Sequence, residues 1–204
     1  MIILPHVRAG DEAAATRIYV DALYQKLRPF FASKEAAVAF LAPHLRHDRA
    51  ATAILDDRLV GVAGFKHAGT GLFEPGFRHF RDAFGLVGAL LRMAGLALLE
   101  KAEDDDALPM DGIAVAPDAR GLGVGTALLD AVAGIAAREG YSGVRLDVID
   151  TNPRARALYE RTGFVAGETR HFTVLKPLFG FSSATTLVRP VAPDSEARQT
   201  RETA

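Results

Sequence analysis

No cysteine occurs anywhere in the 204 residues. That absence removes disulfides, thiolate nucleophiles and cysteine-ligated zinc from the possible chemistry. It also suits a reducing compartment, and the cytoplasm is the expected location. Net charge is lacking too: 24 Lys and Arg stand against 25 Asp and Glu, a formal charge of −1. A phosphate-backbone partner normally leaves a basic excess, so no nucleic-acid partner is expected. Nor is there an apolar run long enough for a membrane span. The greasiest stretch, Gly85 to Leu99 (GLVGALLRMAGLALL), falls short of the roughly 20 residues required, and Arg92 interrupts it. It reads as a buried or interface helix, with no membrane partner. The opening MIILPHVRAGDE has no basic segment followed by a long apolar one, so it is not read as a secretory signal.

What is present is the composition of a packed domain, 49% hydrophobic and 24% charged. Ile2 to Arg8 reads as a strand. Asp11 stands where it can cap a helix reaching about Leu27, and Ser33 where it can cap another from Lys34 to about Arg46. Ala51 to Leu55 and Leu59 to Phe65 flank a polar turn, Asp56-Asp57-Arg58, and read as a β-hairpin. Phe77, Phe80, Phe84, Val87 and Leu91 recur at steps of three and four, one stripe of a helix from about Gly76 to Leu99. The acidic stretch Glu103 to Asp106 follows. Then come strand Met110 to Val115, a Gly-rich turn, helix Thr126 to Glu139, strand Gly143 to Val148 and a short helix Pro153 to Thr162. Phe164 to Val174 and Ala184 to Arg189 complete the strands. A single domain over residues 1–190 is expected, with an inserted helical segment at about 68–107. The tail 191–204 is expected to be disordered.

The chemistry concentrates after the Met110 strand. Arg120-Gly121-Leu122-Gly123-Val124-Gly125-Thr126 opens a helix with three alternating glycines. Backbone N–H groups uncovered by side chains, together with the positive end of a helix dipole, make an anion site. Arg120 adds charge and Thr126 a hydroxyl, so a phosphate or pyrophosphate is the expected ligand. A dinucleotide fingerprint would need glycine at Thr126, and a nucleotide P-loop would need a lysine that is missing. What remains is R-x-x-G-x-G, which a ligand-free glycine turn could also satisfy. Downstream, Asn152 can cap a helix with Pro153 in its first turn, and Asn152, Ala155 and Tyr159 share one helical face.

With AVAPDARGLGVGTALL followed by LDVIDTNPRARALYERTGF, the chain resembles the GNAT (Gcn5-related) N-acetyltransferases, most closely over Met110 to Phe164. The resemblance implies an α/β (α+β) fold: a mixed, mostly antiparallel sheet with a splayed parallel strand pair, flanked by helices. It implies acetyl-CoA as co-substrate, its pyrophosphate on the amides of Arg120 to Thr126. Pantetheine would pair with backbone of Ile113 and Val115 like an added strand. Asn152 would reach the pantetheine arm, Ala155 would share that helical face, and Tyr159 would lie near the sulfur. An amide of Ala114 or Val115 would meet the oxyanion. Tyrosine (pKa ~10) is close enough in acidity to a thiol (~8.5) to protonate the leaving group.

Many GNAT relatives carry a glutamate early on the fourth strand, as base; Pro109 stands there in this sequence. Asp111, two residues on, shares that face and is the candidate base. A water chain ending on Glu100, Glu103 or His171 is the alternative. His44 and His47 have ligand-like spacing but lack a third partner, so no metal is expected. The implied acceptor is a primary amine of a small molecule or protein. The helix Gly76 to Leu99 is a candidate wall of the acceptor pocket or a homodimer contact. The rival readings are a non-catalytic acyl-CoA-binding or sensing module on the same fold, and a nucleotidyltransferase. The latter is disfavoured because no paired carboxylates for Mg²⁺ follow the turn.

Overall fold

The computed structural model describes residues 1–99, 106–171, 180–192 and 194. Seven strands form one sheet in the order β1-β2-β3-β4-β5-β7-β6. They are β1 (Ile2–Leu4), β2 (Ala50–Leu55), β3 (Arg58–Phe65), β4 (Ala107–Val115), β5 (Gly143–Ile149), β6 (Val165–His171) and β7 (Ser183–Pro190). The helices are α1 (Glu12–Leu27), α2 (Lys34–Leu41), α3 (Phe77–Leu99), α4 (Val124–Arg138) and α5 (Pro153–Arg161). Every strand pair is antiparallel except β4 with β5. The expected hairpin forms, its two-residue turn set by Asp56 and Asp57 at φ 49° and 60°. Positive φ at both positions is the twist-matched hairpin turn.

Two cores sandwich the sheet. On one face α4 buries Val124, Leu128, Leu129 and Val132 against Ala51, Ala53, Val60 and Leu108. The approach is close at Gly61, where a Cβ would stand 2.9 Å from both Leu128 and Val124. On the other face α1 lays Ala15 and Tyr19 against Val62 and Ala114, and Val20 joins a third cluster with Phe30, Phe31 and α2.

Three local expectations are corrected. Ser33 caps α2 through the Ala36 amide, but the α-helix stops at Leu41 and passes into a 3₁₀ turn, Ala42–His44. Pro43 supplies no N–H to continue the ladder. Asp11 occupies the start of α1 without capping it, because its carboxylate is held by Arg8 at 2.7 Å. The third concerns α3. Gly85, at φ 70° and ψ 172°, breaks it into two helical pieces. The five-residue stripe therefore does not stay on one side. Phe80 is buried and Phe84 half-buried, but beyond the break Ala89 and Arg92 turn inward. Val87 and Leu91 are left 70% and 69% exposed. The acidic stretch as far as residue 105, the proposed proton relays at residues 100 and 103, and most of the tail lie outside the described residues.

Candidate active site

The site begins with a strand that changes partners. β4 runs parallel to β5 only over Ala107–Pro109, paired with Gly143–Arg145. It then continues along β3 to Val115 while β5 continues along β7, so the two separate. Ala116 donates to Val60 in the antiparallel ladder at 2.8 Å. Alternation then directs Ala114 and Gly112 to β3, and turns the backbone of Ile113 and Val115 into the gap. Of the two amides considered for an oxyanion, the Val115 N–H is the one that faces the gap.

A bulge at Asp111 resets the pleat. Gly64 pairs with Gly112 and Phe65 with Met110, leaving Asp111 as the extra residue. Leu108, Met110, Ile113 and Val115 pack on the α4 side, whereas Ala114 packs on the α1 side. Asp111 lies on the α1 side too, the face obtained by counting two on from Pro109. Its carboxylate accepts from the Leu72 amide at 2.7 Å, and its carbonyl accepts from the Tyr19 hydroxyl at 3.1 Å.

At the far end of the gap α4 starts at Gly123 with no side-chain cap. Gly121 and Gly123 hold φ 84° and 79°, and a Cβ on either would meet nothing within 4 Å. The first-turn amides of Val124, Gly125 and Thr126 have no acceptor within the helix. They open onto a cavity of about 520 Å³ whose walls also carry Arg120, Arg154 and Arg161. The expected donor residues Ile113 to Val115, Arg120, Gly121, Gly123 to Thr126, Asn152, Ala155 and Tyr159 all line this cavity. Leu122 does not; its side chain is 60% exposed. Arg120 also ties back to β4, donating to the Val115 carbonyl at 3.2 Å. Asn152 uses its amide oxygen to cap α5 through Ala155 N–H, leaving the amide nitrogen for other contacts.

An inner cavity of about 290 Å³ fills the gap itself and shares Ile113, Asn152 and Tyr159 with the cavity at the start of α4. Tyr159 is buried, and its ring packs on Phe164 at 5.8 Å between centroids. Burial pushes its hydroxyl up to about 12. The acidity match expected from ordinary values is thus displaced: Tyr159 stays a protonated donor across the neutral and alkaline range. A third, outer cavity of about 620 Å³ lies beyond, between α1, the 66–76 loop and α3. It shares Leu23, Lys26, Lys66 and Asp111 with the inner one.

The lysines and the α5 arginines escaped the sequence reading. Lys26 had a signal: Tyr19, Leu23 and Lys26 fall at i, i+4 and i+7, so a lysine shares the stripe of α1 that faces the sheet. The histidines are engaged elsewhere. His47 bonds the Val7 carbonyl and Glu12, while His44 packs on His79 with centroids 4.0 Å apart. Among the described residues no cluster of three metal-ligating side chains occurs, and no helix is long and apolar enough to cross a membrane.

An open strand edge thus leads from an uncapped, glycine-entered helix to a buried tyrosine. The profile of the acetyltransferase (GNAT) family matches residues 20–164. Among solved structures, an acetyltransferase is similar at 21% identity and TM-score 0.61, over 94% of this chain and all of its own. An N-acetyltransferase from Staphylococcus aureus Mu50 is similar at 16% identity and TM-score 0.61, over 92% of this chain and 100% of its own. The ribosomal-protein-S18-alanine N-acetyltransferase from Escherichia coli is similar at 18% identity and TM-score 0.53, over 96% of each. No curated protein matches the chain in sequence. The chain belongs to the acetyltransferase (GNAT) family and is an acetyl-CoA-dependent N-acetyltransferase.

Proposed function

We propose that the chain moves the acetyl group directly from acetyl-CoA to a primary amine entering through the outer cavity. The observation that carries this reading is the open edge of Ile113 and Val115 beside buried Tyr159, between a phosphate-type cavity and a second, separate one. The α4 amides and Arg120, Arg154 and Arg161 hold the phosphates, where a fixed dipole and cations favour anions. Pantetheine amides pair with the β4 edge, and Asn152 donates to the arm. The amine sheds a proton through Asp111 and attacks the thioester carbonyl, whose developing charge meets the Val115 amide. The C–S bond breaks, Tyr159 gives its proton to the sulfur, and the new amide nitrogen returns one through water. Burial in the filled gap raises a thiol as it raises Tyr159, which narrows the mismatch between them.

No metal enters this scheme. The same reading gives the outer face of α3 to a second copy of the chain. Leu86, Val87, Leu90 and Leu91 are 55–70% exposed there, and the neighbouring charge, Arg92, is turned inward onto the Phe30 carbonyl and the Phe84 ring. Apolar patches of this kind are seldom left uncovered.

Thiol release from acetyl-CoA, measured with a panel of amines, tests the reading. Amine-dependent release with stoichiometric amide formation is expected. Acetyl-CoA binding without release for any amine would make the chain a binding or sensing module.

A further inference from the structure

The outer cavity carries more charge than a simple amine needs. Its lining includes Lys26, Lys66, Glu74 and Asp111 in an otherwise largely apolar wall. Glu74 is exposed and accepts from the Gly71 amide at 2.7 Å. The other three also line the inner cavity, so they stand at the junction where thioester and acceptor meet.

Lys26 is half-buried and forms no hydrogen bond or ion pair among the described residues. Burial holds its ammonium below the ordinary lysine value, with Asp147 opposing. Asp147 has other partners: its oxygens accept from the Thr186 hydroxyl at 2.6 Å and face Arg170 at 3.5 Å. A cation withdrawn from water, opposed only by a carboxylate that other groups already hold, is costly unless a ligand brings a charge of its own. The donor does not bring one here. Pantetheine is neutral, and the phosphates belong at the α4 end of the gap.

We infer that the anion comes with the acceptor, and that the outer cavity takes a free amino acid with an apolar or aromatic side chain. Lys26 and Lys66 receive its carboxylate, Asp111 receives its amine, and its side chain lies among Phe31, Phe73 and Phe80. Amine and carboxylate on one carbon match a junction where two lysines and one aspartate converge. The volume of about 620 Å³ is in the range of small-molecule sites. A peptide N-terminus would bring the amine without the carboxylate. This inference rests on the proposed transfer to an amine in the outer cavity.

The test compares kcat/KM at saturating acetyl-CoA for phenylalanine, phenylalaninamide and 2-phenylethylamine, and for the corresponding leucine and methionine sets. The amide is the stricter control, because its amine is the weaker base and more fully deprotonated at neutral pH. A charge-assisted contact predicts about a 10- to 100-fold preference for the acid over the amide in at least one set. In Lys26→Met that preference collapses towards unity, and in Lys26→Arg most of it survives. Each ratio is taken within one preparation, so loss of folded protein cancels. Amides or peptide N-termini used as well as the free acids would overturn the inference while leaving acetyl transfer standing. So would an undiminished preference in Lys26→Met. No acetyl-CoA binding by calorimetry and no thiol release with any amine would instead overturn the transferase reading beneath it.

Discussion

At the donor end of the site, Gly121 and Gly123 hold positive φ and α4 begins without a side-chain cap. The surface it offers a ligand is largely backbone: amides of one turn and the open edge of one strand. At the acceptor end the wall is side chain, drawn from α1, α2, the 66–76 loop, α3 and the Asp111 bulge. The inner cavity, lined by both Tyr159 and Asp111, lies between the two ends, yet their construction differs in kind. A backbone site depends on glycines at fixed spacing within a short segment. A side-chain site depends on how elements distant in sequence pack, and it can be rebuilt without disturbing the other end.

That contrast predicts separable effects. The largest falls where the ends meet. Tyr159→Phe should lower kcat by ~10²-fold or more, the usual size of a general-acid contribution, with the acetyl-CoA dissociation constant nearly unchanged. Steady-state kinetics paired with calorimetry would check it; a near-normal kcat would remove Tyr159 from the chemistry. Because burial holds this hydroxyl at about 12, the protonated donor form persists to that point. The kcat profile should therefore show no loss from Tyr159 below about pH 11.

Asp111→Asn should be smaller, about 10-fold in kcat/KM for the amine, since the amide oxygen can still accept from Leu72. It should alter the acid limb of the pH–rate profile. An unaltered profile would place the base elsewhere. Replacing Arg154 and Arg161 together should weaken acetyl-CoA binding several-fold and steepen nothing at the acceptor end. The smallest catalytic effect is expected from Val87→Glu with Leu91→Glu on the outer face of α3. Light scattering should show dissociation of a dimer with kcat unchanged; a wild-type chain that is already a monomer would end the dimer reading.

The same contrast explains what the sequence made legible. The turn Arg120 to Thr126 was readable because positive φ at Gly121 and Gly123 calls for glycine. Asn152 and Pro153 announce the start of the helix that carries Tyr159, whereas the role expected of Tyr159 followed from the resemblance. The parallel pair β4–β5 followed from the resemblance alone. Lys26 was marked only by its place on the stripe of Tyr19 and Leu23, and it becomes a wall only once α1 lies across the gap. α3 shows a further reason. Its spacing of apolar residues described a continuous stripe, but a single glycine at φ 70° rotated the second half, and periodicity carries no warning of such a break. The Asp111 bulge is a subtler case: one unpaired residue changes which faces the rest of β4 presents, and Gly112 within the strand was the one sign of it.

In the proposed function, backbone bared by glycine holds the donor. Calorimetric titration of acetyl-CoA into the wild type and Gly123→Val measures it most directly. A Cβ at position 123 meets no protein atom within 4 Å, so it stands in the space assigned to the pyrophosphate, and the positive φ of 79° disfavours the β-branched residue as well. Binding should weaken by about 100-fold or more while the thermal unfolding of the rest of the domain remains cooperative. Unchanged affinity in a folded Gly123→Val protein would contradict it.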